Sequence, residues 1–90
     1  MLAVIKMPGE EPEMREIDNT LTALQALVGG YIETVRLSKS IVIVINEEGR
    51  LRGMAPNVLG LVGPMVCVGV ADEEFRGLTE GEAEFLMDSL

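Results

Sequence analysis

Apolar residues follow a two-residue period in some stretches of this chain and a helical period in others, so the pattern predicts both strands and helices. Leu2–Met7 is rich in strand-forming residues and stops at Pro8-Gly9, which indicates a first strand. Met14–Ile17 predicts a short second strand after an acidic loop.

The next stretch changes from a helical to an extended pattern. Three apolar residues share the i, i+3, i+7 spacing of one helical face: Leu21, Leu24 and Val28. We predict a helix over Thr20–Val28, with Asp18 or Asn19 as its N-cap and Gly29-Gly30 as its stop.

Two stretches rich in β-branched residues then predict an antiparallel hairpin. Tyr31–Leu37 and Ser40–Asn46 are the strands, with Ser38-Lys39 as the turn between them. Ile41–Ile45 is apolar on both faces, which is typical of a central strand covered on each side by helices or by a partner chain. A homo-oligomer is compatible with this pattern. Glu47-Glu48-Gly49 predicts the next tight turn.

The second half of the chain is regular only towards its end. Gly53 and Pro56 argue against a central strand over Arg50–Asn57, and the segment 57–63 predicts either a short helix or a bent strand. Pro64–Ala71 predicts the last strong strand. Thr79-x-x-Glu82 predicts a capping box, followed by a second helix with apolar residues at i, i+3, i+4 and i+7: Ala83, Leu86, Met87 and Leu90.

These elements predict one small α+β domain over residues 1–90. It would contain an antiparallel or mixed β-sheet with a central hairpin and two helices, in the order β-(β)-α-β-β-(short element)-β-α. Hydrophobic residues make up 48% of the chain and charged residues 24%, which is the range of globular proteins. No stretch has the length of a membrane span or a signal peptide, so we expect a cytoplasmic protein without membrane association.

The charge balance restricts the partners that the chain can bind. Fifteen acids against seven bases give a formal charge of −8, which repels the phosphates of nucleic acids and anionic lipids. The acids concentrate in residues 10–18 and in residues 72–88, where seven acids accompany a single arginine. A solvated surface that maintains solubility is the simplest interpretation.

The residue inventory excludes most hydrolytic chemistry. The chain has no histidine, and its one cysteine, Cys67, lies in a strand pattern that predicts burial. Serine and cysteine triads and zinc sites are therefore absent, and the glycines do not form a phosphate-binding loop. We expect no catalytic residue, no metal and no cofactor, and we interpret Glu47-Glu48 as solvated charge.

Two polar residues interrupt the apolar pattern at Leu21–Glu33. Gln25 lies on the apolar side of the predicted helix, where its amide would tie the helix to the sheet or face a cleft. Glu33 lies on a strand face that is otherwise apolar, and a structural ion pair with one of four cations would offset the cost of burial: Arg36, Lys39, Arg50 or Arg52. The alternative is a recognition patch formed by Gln25, Tyr31 and Glu33 beside Gly29-Gly30.

Four motifs resemble one known family. They are N-T-L-T-A-L-Q-A-L-V-G-G-Y-I-E at Asn19–Glu33, N-E-E-G at Asn46–Gly49, P-N at Pro56-Asn57 and G-P-M-V-C-V-G at Gly63–Gly69. The chain is similar to the family of small phage, prophage and mobile-element proteins called domain of unknown function 3846. The resemblance implies eight motif positions as candidate binding residues: Gln25, Gly29, Gly30, Tyr31, Glu33, Asn46, Gly49 and Asn57.

The leading functional hypothesis is a non-enzymatic interaction protein of a phage or mobile element. It would act as an acidic decoy or modulator of a host protein with a basic surface, without binding nucleic acid directly. The alternative is a small-molecule binder, such as a nucleotide-sequestering oligomer that reads its ligand with Asn46 and Asn57. An enzyme with Glu33 as general base ranks last, and a purely structural oligomerisation module also remains open.

Overall fold

A single antiparallel sheet with one helix on each face forms the protein in the computed structural model, which describes residues 1–90. A 3₁₀ turn at Val58–Gly60 lies between the fourth and fifth strands. The elements in chain order are β1 (Leu2–Lys6), β2 (Glu13–Glu16), α1 (Leu21–Val28), β3 (Ile32–Arg36), β4 (Ile41–Asn46), β5 (Met65–Ala71), β6 (Glu74–Arg76) and α2 (Glu80–Ser89). The predicted α+β class is confirmed.

The strand order is β2-β1-β5-β4-β3, and all neighbouring strands are antiparallel. Strand β5 is central, because Cys67 pairs with Val4 of β1 on one side and with Ile43 of β4 on the other. Beyond the end of β1, β6 pairs with the last residues of β5. The hairpins β1–β2 and β3–β4 therefore occupy opposite edges of the sheet.

Apolar layers cover both faces of the sheet. The layer between the sheet and α2 consists of Val4, Ile41, Ile43, Ile45, Met65, Cys67 and Leu78 together with Ala83 and Leu86 of the helix itself. The layer between the sheet and α1 consists of Ala3, Ile5, Val42, Val44, Val66 and Val68 together with Leu24 and Val28 of the helix itself. The prediction that β4 is covered on both sides is confirmed, and helices of the same chain provide the cover. Burial raises the pKa of the Cys67 thiol to about 12, which keeps it neutral.

The predicted N-cap of the first helix is wrong by one or two residues. Thr20 caps α1, because its hydroxyl accepts a hydrogen bond from the N–H of Ala23 at 3.1 Å. Asn19 instead donates its side-chain amide to the carbonyl of Phe75 at 2.9 Å, a tertiary contact that sequence spacing does not reveal. The predicted capping box of α2 is confirmed, with reciprocal bonds between Thr79 and Glu82.

Strand β6 and the segment 57–63 are the two parts of the fold that the hydrophobic pattern did not specify. Strand β6 was not predicted, because it follows a two-residue turn in which Asp72 and Glu73 adopt φ of 52° and 65°. Such turns usually contain Asn-Gly, and this one does not. The segment 57–63 contains a short helix, one of the two alternatives predicted: Val58–Gly60 form a single 3₁₀ turn, and Pro56 bridges to Val62.

One ion pair between partly buried side chains ties α2 to the sheet. The Arg76 guanidinium donates to both carboxylate oxygens of Glu82, at 2.8 and 3.1 Å, and the Ser40 hydroxyl donates to the same carboxylate at 2.9 Å. The Arg76 side chain crosses β5 directly over Gly69, where any Cβ would overlap the guanidinium. These bonds join β6, α2 and the residue that precedes β4, and mainly the bond from Arg76 lowers the pKa of Glu82 to about 2.

We predict that Glu82 stabilises the fold in a pH-dependent way. Its pKa falls from 4.5 to about 2 on folding, so the contribution is present above pH 4.5 and is lost as the pH falls towards 2. Since the Glu82 side chain is 18% exposed, solvent screening limits this contribution to about 1 to 2 kcal/mol. Urea unfolding of wild type and Glu82→Gln should give that difference near about pH 7 and a smaller one near about pH 2.5.

The exposed Glu84 supplies the matched control for this experiment. It lies two residues further along α2 and makes no ion pair, so Glu84→Gln should leave the unfolding free energy nearly unchanged at both pH values. An equal loss for Glu82→Gln at the two pH values would contradict the assignment.

Candidate functional site

The Gly29-Gly30 turn connects α1 to β3 and sets the geometry of the candidate site. Gly29 has φ of 83°, and the N–H groups of Gly29 and Gly30 both donate to the carbonyl of Gln25, at 2.8 and 3.1 Å. A Cβ on Gly30 would lie 3.0 Å from the Asn46 amide nitrogen and 3.1 Å from the Arg52 guanidinium. The absence of a side chain at Gly30 therefore lets Asn46 and Arg52 approach the turn.

Asn46 is the residue that ties the first helix to the sheet. It is 3% exposed, its Nδ2 donates to the carbonyl of Val28 at 3.1 Å, and its Oδ1 accepts from the N–H of Glu48 at 2.8 Å. Of the two roles predicted for Gln25, the structure gives the tie to Asn46 and leaves Gln25 facing a cleft. The Gln25 side chain is only half-buried and forms no hydrogen bond within the chain, because its helix position lies at the rim of the sheet.

A cavity of about 270 Å³ opens beside this turn, and we call it the polar cavity because four of its five lining residues, all except Gly30, have polar groups. Five residues line it: Gln25, Gly30, Tyr31, Glu48 and Arg52. The Arg52 guanidinium donates to the carbonyl of Gly29 at 2.9 Å and has further N–H groups free. The residues that line the cavity thus carry a carboxamide, a phenol, a carboxylate and a guanidinium, all with unused hydrogen-bonding capacity.

Three of the five residues that line the polar cavity are predicted from the sequence. Gln25, Gly30 and Tyr31 were predicted to lie together, and the structure brings them together. The sequence alone predicts solvated charge at Glu48 and indicates Arg52 only as a possible partner for Glu33. Both come from the turn after β4, and only the pairing of β3 with β4 brings that turn next to α1.

Glu33 lies apart from the polar cavity. It is exposed on the edge strand β3 and lines a second cavity of about 190 Å³ with Val35, Arg50 and Leu51. No cation lies within salt-bridge distance of its carboxylate, so the ion-pair prediction is wrong. An edge position keeps the carboxylate hydrated, and Arg36 and Arg50 donate to backbone carbonyls instead.

The remaining motif residues stabilise turns. The side-chain amide of Asn57 donates to the carbonyls of Lys6 and Gly63, both at 2.8 Å, and its oxygen accepts from the N–H of Val58. Gly49 is buried, and a Cβ there would lie 3.0 Å from the Val62 side chain. These bonds occupy both ends of the Asn57 amide, as they do for Asn46, so neither residue presents a free amide to a ligand.

The structure has no cluster of metal-binding side chains and no helix that could cross a membrane. No three His, Cys, Asp or Glu side chains come together in an arrangement that could hold a metal ion. Neither helix has the length and apolar character that crossing a bilayer requires.

The fold and the site define a class of small α+β domain in which one antiparallel sheet lies between two helices and a polar cavity adjoins the first helix. A family model described as Domain of unknown function (DUF3846) matches residues 1–90. The chain therefore belongs to this family, as the motif resemblance predicted. No curated protein and no solved structure matches the chain.

We predict that Asn46→Ala lowers the free energy of unfolding by about 2 to 3 kcal/mol, since it leaves the buried Val28 carbonyl without its partner. Gln25→Ala should change it by less than about 0.5 kcal/mol, because that side chain bonds nothing in the chain. Thermal and urea unfolding of the two variants measure this difference. If Gln25→Ala lowered the free energy of unfolding more than Asn46→Ala does, Gln25 rather than Asn46 would hold α1 to the sheet.

Proposed function

We propose that this is a non-enzymatic, cytoplasmic interaction protein of a phage or mobile element that binds a basic surface of a host protein. The observation that carries the proposal is the segregation of charge along the fold. Residues 1–20 and 72–90 contain twelve of the fifteen acids and three of the seven bases. Residues 21–71 contain only three acids and four bases.

The two acidic segments form one side of the molecule, which we call the acidic side. They comprise β1, β2, β6 and α2, and α2 packs against β1 and β2. Three carboxylates on α2 follow the i, i+4, i+8 spacing of one helical stripe, and all are exposed: Glu80, Glu84 and Asp88. Ala83 and Leu86 bury the opposite side of the helix.

Most of these carboxylates are available to a partner. Only Glu13, Glu16 and Glu82 form ion pairs within the chain. Closely spaced exposed carboxylates create a negative potential that accelerates association with a basic surface and opposes association with nucleic acid. A host protein that uses its basic surface to bind DNA would thus be occupied by the acidic side in place of phosphates.

We expect the captured partner to be a basic protein whose binding weakens with salt. Immobilised protein should retain it from a bacterial lysate at low ionic strength and release it between about 0.1 and about 0.5 M salt, as the Debye length shortens. Neutralising the α2 stripe with Glu80→Gln, Glu84→Gln and Asp88→Asn should weaken binding by about tenfold or more, because close charge pairs are lost. The dissociation constant for the purified partner, with and without competing DNA, measures this.

The chain offers a control with the same change in net charge. Glu33→Gln, Glu47→Gln and Glu48→Gln remove the three acids of residues 21–71, outside the acidic side. This variant should bind within about threefold of wild type if location rather than net charge matters. Equal weakening by both triple variants, or binding that does not change with salt, would overturn the proposal.

A second candidate function rests on the polar cavity. Its volume of about 270 Å³ and its four polar side chains suit a small polar ligand such as a nucleotide. Arg52 would hold an anionic group, while Gln25 and Glu48 would bond to donors and acceptors of a base or sugar. Asn46 and Asn57 take no part, because their amides are bonded within the chain.

Calorimetric titration with nucleoside monophosphates tests this candidate. Tyr31→Ala should weaken binding by about tenfold through lost stacking area, and it should not alter stability because Tyr31 is 67% exposed. Thr22→Ala, on the exposed part of α1 outside the cavity, is the control. Binding that is unchanged in Tyr31→Ala would exclude the polar cavity as the ligand site.

A further inference from the structure

The outer edge of β3 carries a row of backbone groups without partners. The N–H of Glu47 donates to the carbonyl of Tyr31 at 2.8 Å, and the N–H of Leu37 donates to the carbonyl of Ile41 at 3.0 Å. Hydrogen bonding alternates along an antiparallel pair, so the odd-numbered residues of β3 bond to β4. The N–H and C=O groups of the three even-numbered residues therefore point away from the sheet: Ile32, Thr34 and Arg36.

The opposite edge of the sheet is protected against pairing. The N–H of Ile17 donates to the carbonyl of Met1, so only Met14 and Glu16 of β2 direct backbone groups outwards. Pro12, the next residue in that row, has no N–H. The strand is four residues long, and three of its exposed side chains are charged, which disfavours edge-to-edge pairing. Strand β3 has neither a proline nor a run of charges.

We propose that β3 pairs in antiparallel fashion with β3 of a second copy, around a two-fold axis at Thr34. This register brings Thr34 opposite Thr34, Glu33 opposite Val35, and Ile32 opposite Arg36, and it uses every outward N–H and C=O of the strand. A two-fold axis at Glu33 or at Arg36 would place like charges opposite each other, which is destabilising. The register centred on Thr34 pairs all five residues without such a conflict.

Exposed apolar residues flank the strand in the positions that this register requires. Tyr31 is 67% exposed and Leu37 is 39% exposed, and the register places each opposite the other in the second copy. Aromatic and aliphatic residues opposite each other stabilise paired strands. Val35 of the second copy would lie opposite Glu33, beside the cavity that Leu51 lines while 88% exposed. Dimerisation would thus cover apolar surface that the monomer leaves in water.

The charge distribution favours this edge over other contacts between two copies. Each chain has a formal charge of −8, so two copies repel each other through their acidic sides. The β3 edge belongs to residues 21–71, which hold three acids and four bases. Pairing there leaves the β2 edges at the two ends of one continuous sheet, as far apart as the fold allows. The inference is independent of what the acidic side binds.

Sedimentation and light scattering measure the dimer directly. Wild type should have twice the 9.7 kDa mass of the chain over concentrations from about 10 μM to about 1 mM. Thr34→Pro should be monomeric, because it removes an N–H that points towards the second copy while keeping every bond to β4. Its circular dichroism should match that of wild type. A wild type that stays monomeric throughout, or a folded Thr34→Pro variant that stays dimeric, would overturn the proposal.

Cysteine cross-linking tests the register of the paired strands. It also tests whether the dimer forms at all if Thr34→Pro fails to fold. In the proposed dimer Thr34 lies opposite its own copy, within the Cα separation that a disulfide spans. Thr34→Cys should therefore form a covalent dimer on mild oxidation, whereas Arg36→Cys and Thr22→Cys should not. Cys67 is buried and will not compete. Cross-linking of Arg36→Cys as fast as that of Thr34→Cys would refute the register, and none of these variants alters an acid of the acidic side.

Discussion

Burial of β4 and β5 on both faces is the constraint on which the rest of the structure depends. Every residue of β4 and the first five of β5 are buried, so the sheet is stable only with cover above and below. Helix α1 provides one cover, and α2 with the segment around Leu61 provides the other. Apart from Lys6, which is buried at the end of β1, the charged side chains lie at the edges of the sheet, in the turns and on the outer sides of the helices, where the candidate functions arise.

The regular elements were predictable because their patterns are local. The continuous run of β-branched residues in β4, the capping box at Thr79 and the glycine stop of α1 specify their own structure within a few residues. Strand β6 was not predictable in this way, because Asp72 and Glu73 adopt a left-handed turn without the residues that usually mark one. The N-cap was misassigned because Asn19 bonds to a residue far along the chain.

The candidate site was less predictable, because it depends on strand order. Glu33 resembles a buried carboxylate only if β3 is an inner strand, and the structure places β3 at the edge. Strand order also decides between the two roles predicted for Gln25: Asn46 ends a strand in the core and provides the tie to the helix, while Gln25 lies at the rim and faces the cavity. Arg52 and Glu48 reach the polar cavity through a turn whose position follows from the hairpin. No sequence pattern within that turn indicates that these two residues lie beside α1.

The topology gives the two edges of the sheet different surfaces, and the acidic side is the one that we assign to partner binding. Hydrogen exchange of the protein alone and in complex with its captured basic partner tests this assignment most directly. The account predicts new protection along α2, in residues 80–88, and in the neighbouring strand β2, with none around Gln25, Tyr31 and Arg52. Protection confined to the polar cavity, with α2 unchanged, would contradict it.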